Sequence, residues 1–268
     1  MSAVVSAVST SNHIATAASN STRRTADFHP SIWGSHFLAY ASDNMEVEVD
    51  NNMRQEFEML KEDVRMMFPS TMEDNTLAHK LNFINSVQRL GVAYHFESEI
   101  DEALQQIYNS CTGNNIITHC DDLHSIALLF RLLRQQGYHI SPGVFNKFKD
   151  ETGKFSARLE NDVPALLSLY EAAQYRVKGE ELLDEALDFT QNQLVRSLKN
   201  QLSPSMEAQV KRSLNRPLHK GMPRLESRYY MSFYKEDPAN NKVLLTFAKL
   251  DFNILQKLHQ KELGTITK

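Results

Sequence analysis

Lys242-Val243-Leu244-Leu245-Thr246-Phe247-Ala248-Lys249-Leu250-Asp251-Phe252-Asn253-Ile254-Leu255-Gln256-Lys257-Leu258 is the stretch that decides the fold class. Val243, Phe247, Leu250, Ile254 and Leu258 follow at steps of three and four, the spacing that lines one face of an α-helix. Leu244, Ala248 and Leu255 widen the apolar stripe. The pattern predicts a helix over about 240–263, roughly 30 Å long and buried over much of its circumference.

The same spacing recurs toward the N-terminus. Met53, Phe57, Leu60, Val64 and Met67 form one face, and Leu81, Ile84, Val87 and Leu90 another, ending at Gly91. Ile100, Leu104 and Ile107 continue it, then Leu123, Ile126, Phe130 and Leu133 before Gly137. Val163, Leu167 and Tyr170 follow, then Leu183, Leu187, Leu194 and Val195. Ser141-Pro142, Ser203-Pro204 and Asp237-Pro238 each set a capping side chain before a proline, whose missing N–H costs nothing in a first turn. Pro69 and Pro217 are expected to break helices. No β-branched alternation is long enough for a sheet, and no fixed-period repeat occurs. The protein is predicted to be all-α, with bundle, solenoid and helical toroid equally compatible with the periodicity.

Composition limits the function classes. The 268 residues are 41% hydrophobic and 23% charged, in the range of globular proteins. A net charge of −4 gives no reason to expect nucleic acid or an acidic membrane surface as partner. No apolar run approaches the ~20 residues of a membrane span. Cys111 and Cys120 alone do not make a disulfide framework and read as thiols of a reducing compartment. The first 26 residues hold no Asp or Glu and many Ser, Thr and Ala, which reads as a disordered tail or, in the other reading, a short plastid transit segment.

Catalytic signatures are sparse. Asp121-Asp122-Leu123-His124 lacks the second carboxylate one turn on that a Mg²⁺ site on a helix needs, so its aspartates read as a helix start. Glu180, Glu181, Asp184, Glu185 and Asp188 alternate with apolar residues as the solvated side of a helix. Lys149-Asp150-Glu151-Thr152-Gly153 reads as a polar turn. No nucleotide fingerprint, metal-spaced histidine pair or nucleophile elbow is present. The candidate that remains is Arg23-Arg24, followed by Asp27-Phe28-His29-Pro30-Ser31-Ile32-Trp33-Gly34 with the chain's one tryptophan. Two guanidinium forks suit a carboxylate or diphosphate, and Phe28 and Trp33 could anchor the arm on an apolar surface.

Two arginines, eight residues and a tryptophan also resemble the N-terminal motif of plant mono- and sesquiterpene synthases. The resemblance extends through Ile84-Asn85-Ser86-Val87-Gln88-Arg89-Leu90-Gly91-Val92, Tyr94-His95-Phe96, Phe130-Arg131-Leu132-Leu133-Arg134-Gln135 and Val144-Phe145-Asn146-Lys147-Phe148-Lys149-Asp150. Gly221-Met222-Pro223-Arg224-Leu225-Glu226-Ser227-Arg228 and Phe247-Ala248-Lys249-Leu250-Asp251-Phe252-Asn253 complete it, most like the angiosperm sesquiterpene branch.

The resemblance implies an α/α-barrel, or helical toroid, over residues 23–235, a tail over 1–22, and the first helix of a catalytic domain over 236–268. It implies Arg23, Arg24 and Trp33 as part of a strand that closes the active-site mouth, a cytoplasmic location with the plastid as alternative, and farnesyl diphosphate as substrate of a full-length enzyme. Mg²⁺ or Mn²⁺ is expected there only. The aspartate-rich and second metal motifs of the family are absent from these residues, as is the acidic motif of protonation-initiated cyclases. This chain is therefore expected to hold no catalytic or metal-ligating residue and to be inactive alone. A non-catalytic helical module that pairs with another synthase is the alternative, and an unrelated α/α-barrel enzyme a third. Val243, Leu244, Phe247, Leu250 and Leu255 are expected to face missing catalytic-domain helices. Self-association through helix 240–263 should follow, and deletion after residue 238 should improve solubility.

Overall fold

Every segment with three-and-four apolar spacing is helical in the computed structural model, which describes residues 32–41, 51–74, 76–114 and 122–267. A 3-10 turn at His36–Ala41 precedes α1 (Asn51–Asp74), α2 (Leu77–Arg89), α3 (Glu97–Asn114) and α4 (Leu123–Gln135). Then come α5 (Val163–Ala173), α6 (Glu181–Ser197), α7 (Pro204–Asn215), α8 (Pro223–Glu236) and α9 (Lys242–Ile266). Short 3-10 turns fill several links. The described residues contain no strand, only one isolated bridge between Lys149 and Phe155. The fold is the all-α, α/α-barrel type.

Caps explain where the helices begin. Asp122 accepts from the backbone N–H groups of His124 at 3.1 Å and Ser125 at 2.9 Å, as its place before an apolar run predicts. Ser203 accepts from Met206 N and Ser141 from Gly143 N, each just before a proline at the first turn. Thr76, Asp162 and Asn241 cap α2, α5 and α9 in the same way. Gly91 closes α2 at φ +80°, where an added Cβ would stand 2.8 Å from Ser227 Cβ.

Three local expectations are corrected. Pro69 lies inside α1 and does not end it. Proline removes one backbone bond, but Val64 and Phe68, at most 3% exposed, hold that part of the helix on the core. Asp237-Pro238 starts no helix: Asp237 terminates α8, and its carboxylate accepts from Ala239 N in a turn before Asn241 caps α9. Val195 is exposed, because its neighbour Leu194 takes the inward direction and adjacent helical residues point about 100° apart.

The main core joins residues from nearly every helix. Leu81, Ile84, Val87 and Leu90 of α2 are fully buried, and so is almost the whole circumference of α4 from Leu123 to Leu133. That makes α4 an innermost helix, packed on α2, α3 and α5. A second cluster gathers Val163, Leu166, Tyr170, Leu194 and Val210 where α5, α6 and α7 meet. Each fully buried Leu or Phe contributes about 1.5–3 kcal/mol relative to exposure.

The last helix is placed differently from expectation. Leu244, Phe247 and Ala248 are fully buried in the main core, with Phe247 5.1 Å from Phe57 and 5.8 Å from Phe96 between ring centroids. This face of α9 lies against α1, α8 and the 36–41 turn. The reason is the width of the stripe: a helix apolar over much of its surface can serve two neighbours, and this domain takes the 244–248 side. Among the described residues, the large apolar side chains that α9 leaves exposed are Leu258, Leu263 and Ile266.

Candidate functional site

Of the predicted site residues, Arg23 and Arg24 lie outside the described residues. Trp33 sits in a turn just before the 36–41 segment, 58% exposed, its ring 5.6 Å from Phe37 and 6.4 Å from His36. The His36–Ala41 segment that follows Trp33 packs on α9. Phe28 and Cys120 also fall outside the described residues, whereas Cys111 is buried in the core.

A second polar group forms where α9 meets the turn after α2. Asp251, 2% exposed, accepts from Tyr94 Oη at 2.5 Å, lies 2.9 Å from His95 Nε2 and accepts from Arg224 Nη2 at 3.4 Å. Burial, then the bond to Asp251, pushes the Tyr94 phenol well above the usual tyrosine range. Phe57 and Phe247 press on the His95 ring, which fixes its orientation. Tyr94 and Asp251 are 157 positions apart in sequence. An aspartate in the middle of a wide apolar stripe is the signal that could have exposed this pairing.

A third arrangement occupies the interior between α2, α4, α5, α7 and α8. A chamber of about 130 Å³ is lined by Arg89, Arg131, Arg212, Arg216, Glu171 and Glu226, among others. Arg89 donates to Glu226 Oε1 at 2.7 and 3.1 Å, while Arg212 donates to Oε2 at 3.0 Å. The two guanidinium groups also stack over Tyr230 and Tyr229, at 4.0 and 3.7 Å. Arg131, 5% exposed, donates to Asn85 at 2.5 Å and Gln135 at 3.2 Å. Burial, then the nearby Arg89 charge, lowers its pKa. Glu171 accepts from Leu218 N at 2.8 Å; its burial outweighs that bond and raises its pKa. The chamber adjoins a wider cleft of about 960 Å³, which reaches the α8–α9 link at Asp237–Asn241. Sequence reasoning passed over these residues because they lie on five helices; Arg131 inside an apolar run was the visible clue.

The acidic run of α6 is less uniformly solvated than its spacing predicts. Glu180 is drawn into a pair with Arg134, at 2.5 and 2.9 Å, with side-chain exposures of 12% and 9%. Arg134 itself lies over the Phe130 ring.

None of these groups fits a divalent cation. The carboxylates of Glu226 and Asp251 are engaged by arginine, tyrosine and histidine donors, and no cluster of three metal-type side chains occurs among the described residues. No helix among the described residues is long and apolar enough to cross a membrane.

With fold and interior in view, comparison with known proteins gives the class. The family model described as "Terpene synthase, N-terminal domain" matches residues 32–214. The chain belongs to the terpene synthase family. It is 52% identical over 248 residues to "Probable terpene synthase 2" of Ricinus communis, covering 92% of this chain and 44% of that protein. It is 51% identical over 245 residues to the (-)-germacrene D synthase of Vitis vinifera, covering 91% and 42%. The chain thus spans under half the length of these relatives. Among solved structures, isoprene synthase of grey poplar, in complex with three Mg²⁺ ions and dimethylallyl-S-thiolodiphosphate, superposes with a TM-score of 0.74 at 35% identity over 79% of this chain and 40% of that one. A limonene synthase with 2-fluorolinalyl diphosphate gives 0.73 at 29% identity, over 88% and 43%.

Proposed function

We propose that this chain is the N-terminal part of a sesquiterpene synthase, supplying a helical scaffold while other residues carry the chemistry. The full enzyme is proposed to ionise and cyclise farnesyl diphosphate with Mg²⁺ or Mn²⁺. The observation that carries this reading is 51% identity over 245 residues to an enzyme named for a sesquiterpene product.

The proposed division follows the break at Asp237–Asn241: a tail over 1–22, a barrel domain over 23–235, and the opening of the catalytic domain from 236. Arg23, Arg24 and Trp33 are proposed to cap the active-site mouth of the full enzyme. The contact of the 36–41 segment with α9 supports this, since that segment lies against the helix from which the catalytic domain would continue. The proposed compartment is the cytoplasm, with the plastid as the other outcome of a fluorescent-fusion experiment.

The test pairs two assays. The 268-residue chain, incubated with farnesyl or geranyl diphosphate and Mg²⁺, is expected to release no diphosphate. A chimera in which residues 1–268 replace the matching part of the grape (-)-germacrene D synthase is expected to make sesquiterpene. Turnover by the 268-residue chain alone would overturn the scaffold reading. A folded but inactive chimera would favour the non-catalytic helical module.

A further inference from the structure

The interior chamber holds more positive charge than its internal bonds use. Three guanidinium groups, of Arg89, Arg131 and Arg212, with that of Arg216 at the exposed rim, face two carboxylates, although the chain as a whole carries −4. Arg89 and Arg212 share the single carboxylate of Glu226. Arg131 is the sharper anomaly. It is 5% exposed on the innermost helix, bonds the neutral amides of Asn85 and Gln135, and forms no ion pair among the described residues. The nearest opposing charge is the Glu171 carboxylate, which acts on Arg131 without a direct ion pair, and a buried guanidinium so weakly matched is unfavourable unless a further anion completes it.

The same chamber contains the opposite deficit. Glu171 is 6% exposed; Oε2 accepts from Leu218 N and the Ser213 hydroxyl acts on the carboxylate, but Oε1 is buried without a partner at full hydrogen-bond geometry. A ligand that satisfies both must accept from arginines and donate to a carboxylate. Hydrogen phosphate does both, through its charged oxygens and its one hydroxyl. Sulfate, which has no proton at neutral pH, can do only the first.

We propose that the chamber binds inorganic hydrogen phosphate, with Arg131 and Arg212 holding its charged oxygens and Glu171 accepting from its hydroxyl. The volume of about 130 Å³ admits one such ion. The neighbouring cleft shares Asn85, Arg89, His124 and Gln209 with the chamber, which places these residues at its mouth. This site needs no metal and is separate from the proposed cyclase chemistry.

Calorimetric titration of the 268-residue chain at pH 8, without divalent metal and at fixed ionic strength, tests it with inorganic phosphate, sulfate and butyl phosphate. Saturable phosphate binding is expected with a Kd of about 1 mM or tighter, and sulfate should bind about tenfold more weakly. Butyl phosphate, whose charged oxygens like those of sulfate carry no proton at pH 8, should also bind about tenfold more weakly than inorganic phosphate, and tighter binding of the ester would overturn the role given to Glu171. Arg131→Met should weaken phosphate about tenfold or more. Should that variant not fold, Gln209→Glu, at the half-buried mouth, should weaken it about fivefold by adding negative charge. Glu171→Gln should erase the preference over sulfate. Absence of saturable phosphate binding, equal affinity for sulfate, or unchanged affinity in the folded variants would overturn the assignment.

Discussion

Phe247 offers the most direct test of where the last helix belongs. Its ring is fully buried among Phe57, His95 and Phe96, at centroid distances of 5.1, 5.4 and 5.8 Å. Truncation to alanine removes an aromatic side chain from a site walled by α1 and the turn after α2, which cannot both collapse into the gap. Phe→Ala at such sites costs about 3–5 kcal/mol. At roughly 2–4 °C per kcal/mol for a domain near this size, the melting temperature should fall by about 6–20 °C. Leu258→Ala, on an exposed part of the same helix, is the control and should change stability by no more than about 0.5 kcal/mol. Urea unfolding followed by circular dichroism measures both. The same reasoning reverses the solubility expectation drawn from sequence: deletion after residue 238 strips Leu244, Leu245, Phe247 and Ala248 from the core and should reduce soluble yield. Phe247→Ala melting like the parent, or a stable monomer lacking residues 239–268, would refute the placement of α9 in this core.

Gly91→Ala should cost about 1–3 kcal/mol in urea unfolding, because φ is +80° and the new Cβ would meet Ser227 Cβ at 2.8 Å; an unchanged midpoint would show that α8 yields easily there. Glu180→Gln should give a pH-dependent loss. Hydrogen bonding from Arg134 holds the Glu180 carboxyl below the usual carboxylate range, so its stabilisation is present above the unfolded value and is lost as pH falls through the folded one. The variant should be less stable by about 2 kcal/mol at pH 7 and converge with the parent in strong acid. A pH-independent gap would show that the loss is one of packing.

Helix positions and most caps were legible because they depend on local rules. Apolar residues three or four apart must share a helix face, and Asp122 or Ser203 before such a run satisfies the first free N–H groups. Where local rules competed with packing, packing won: Pro69 remains helical because Val64 and Phe68 anchor the turn before it. Family membership was also legible, in ordered blocks of residues along the chain and in Trp33 behind paired arginines.

The interior chemistry was not legible, since hydrogen bonds and ion pairs have no sequence period. Asp251 and Arg131 stand out as charges inside apolar runs, but nothing in sequence says that they meet Tyr94 and Arg224, or Arg89, Glu171 and Glu226. Their chemistry is set by distances across helices that only close packing brings together. The amino-acid order by itself determined which segments coil and which face of each is apolar. Only the tertiary structure decided which apolar face of α9 is covered, and that several arginines would line one cavity, because burial and charge proximity are properties of neighbours in space.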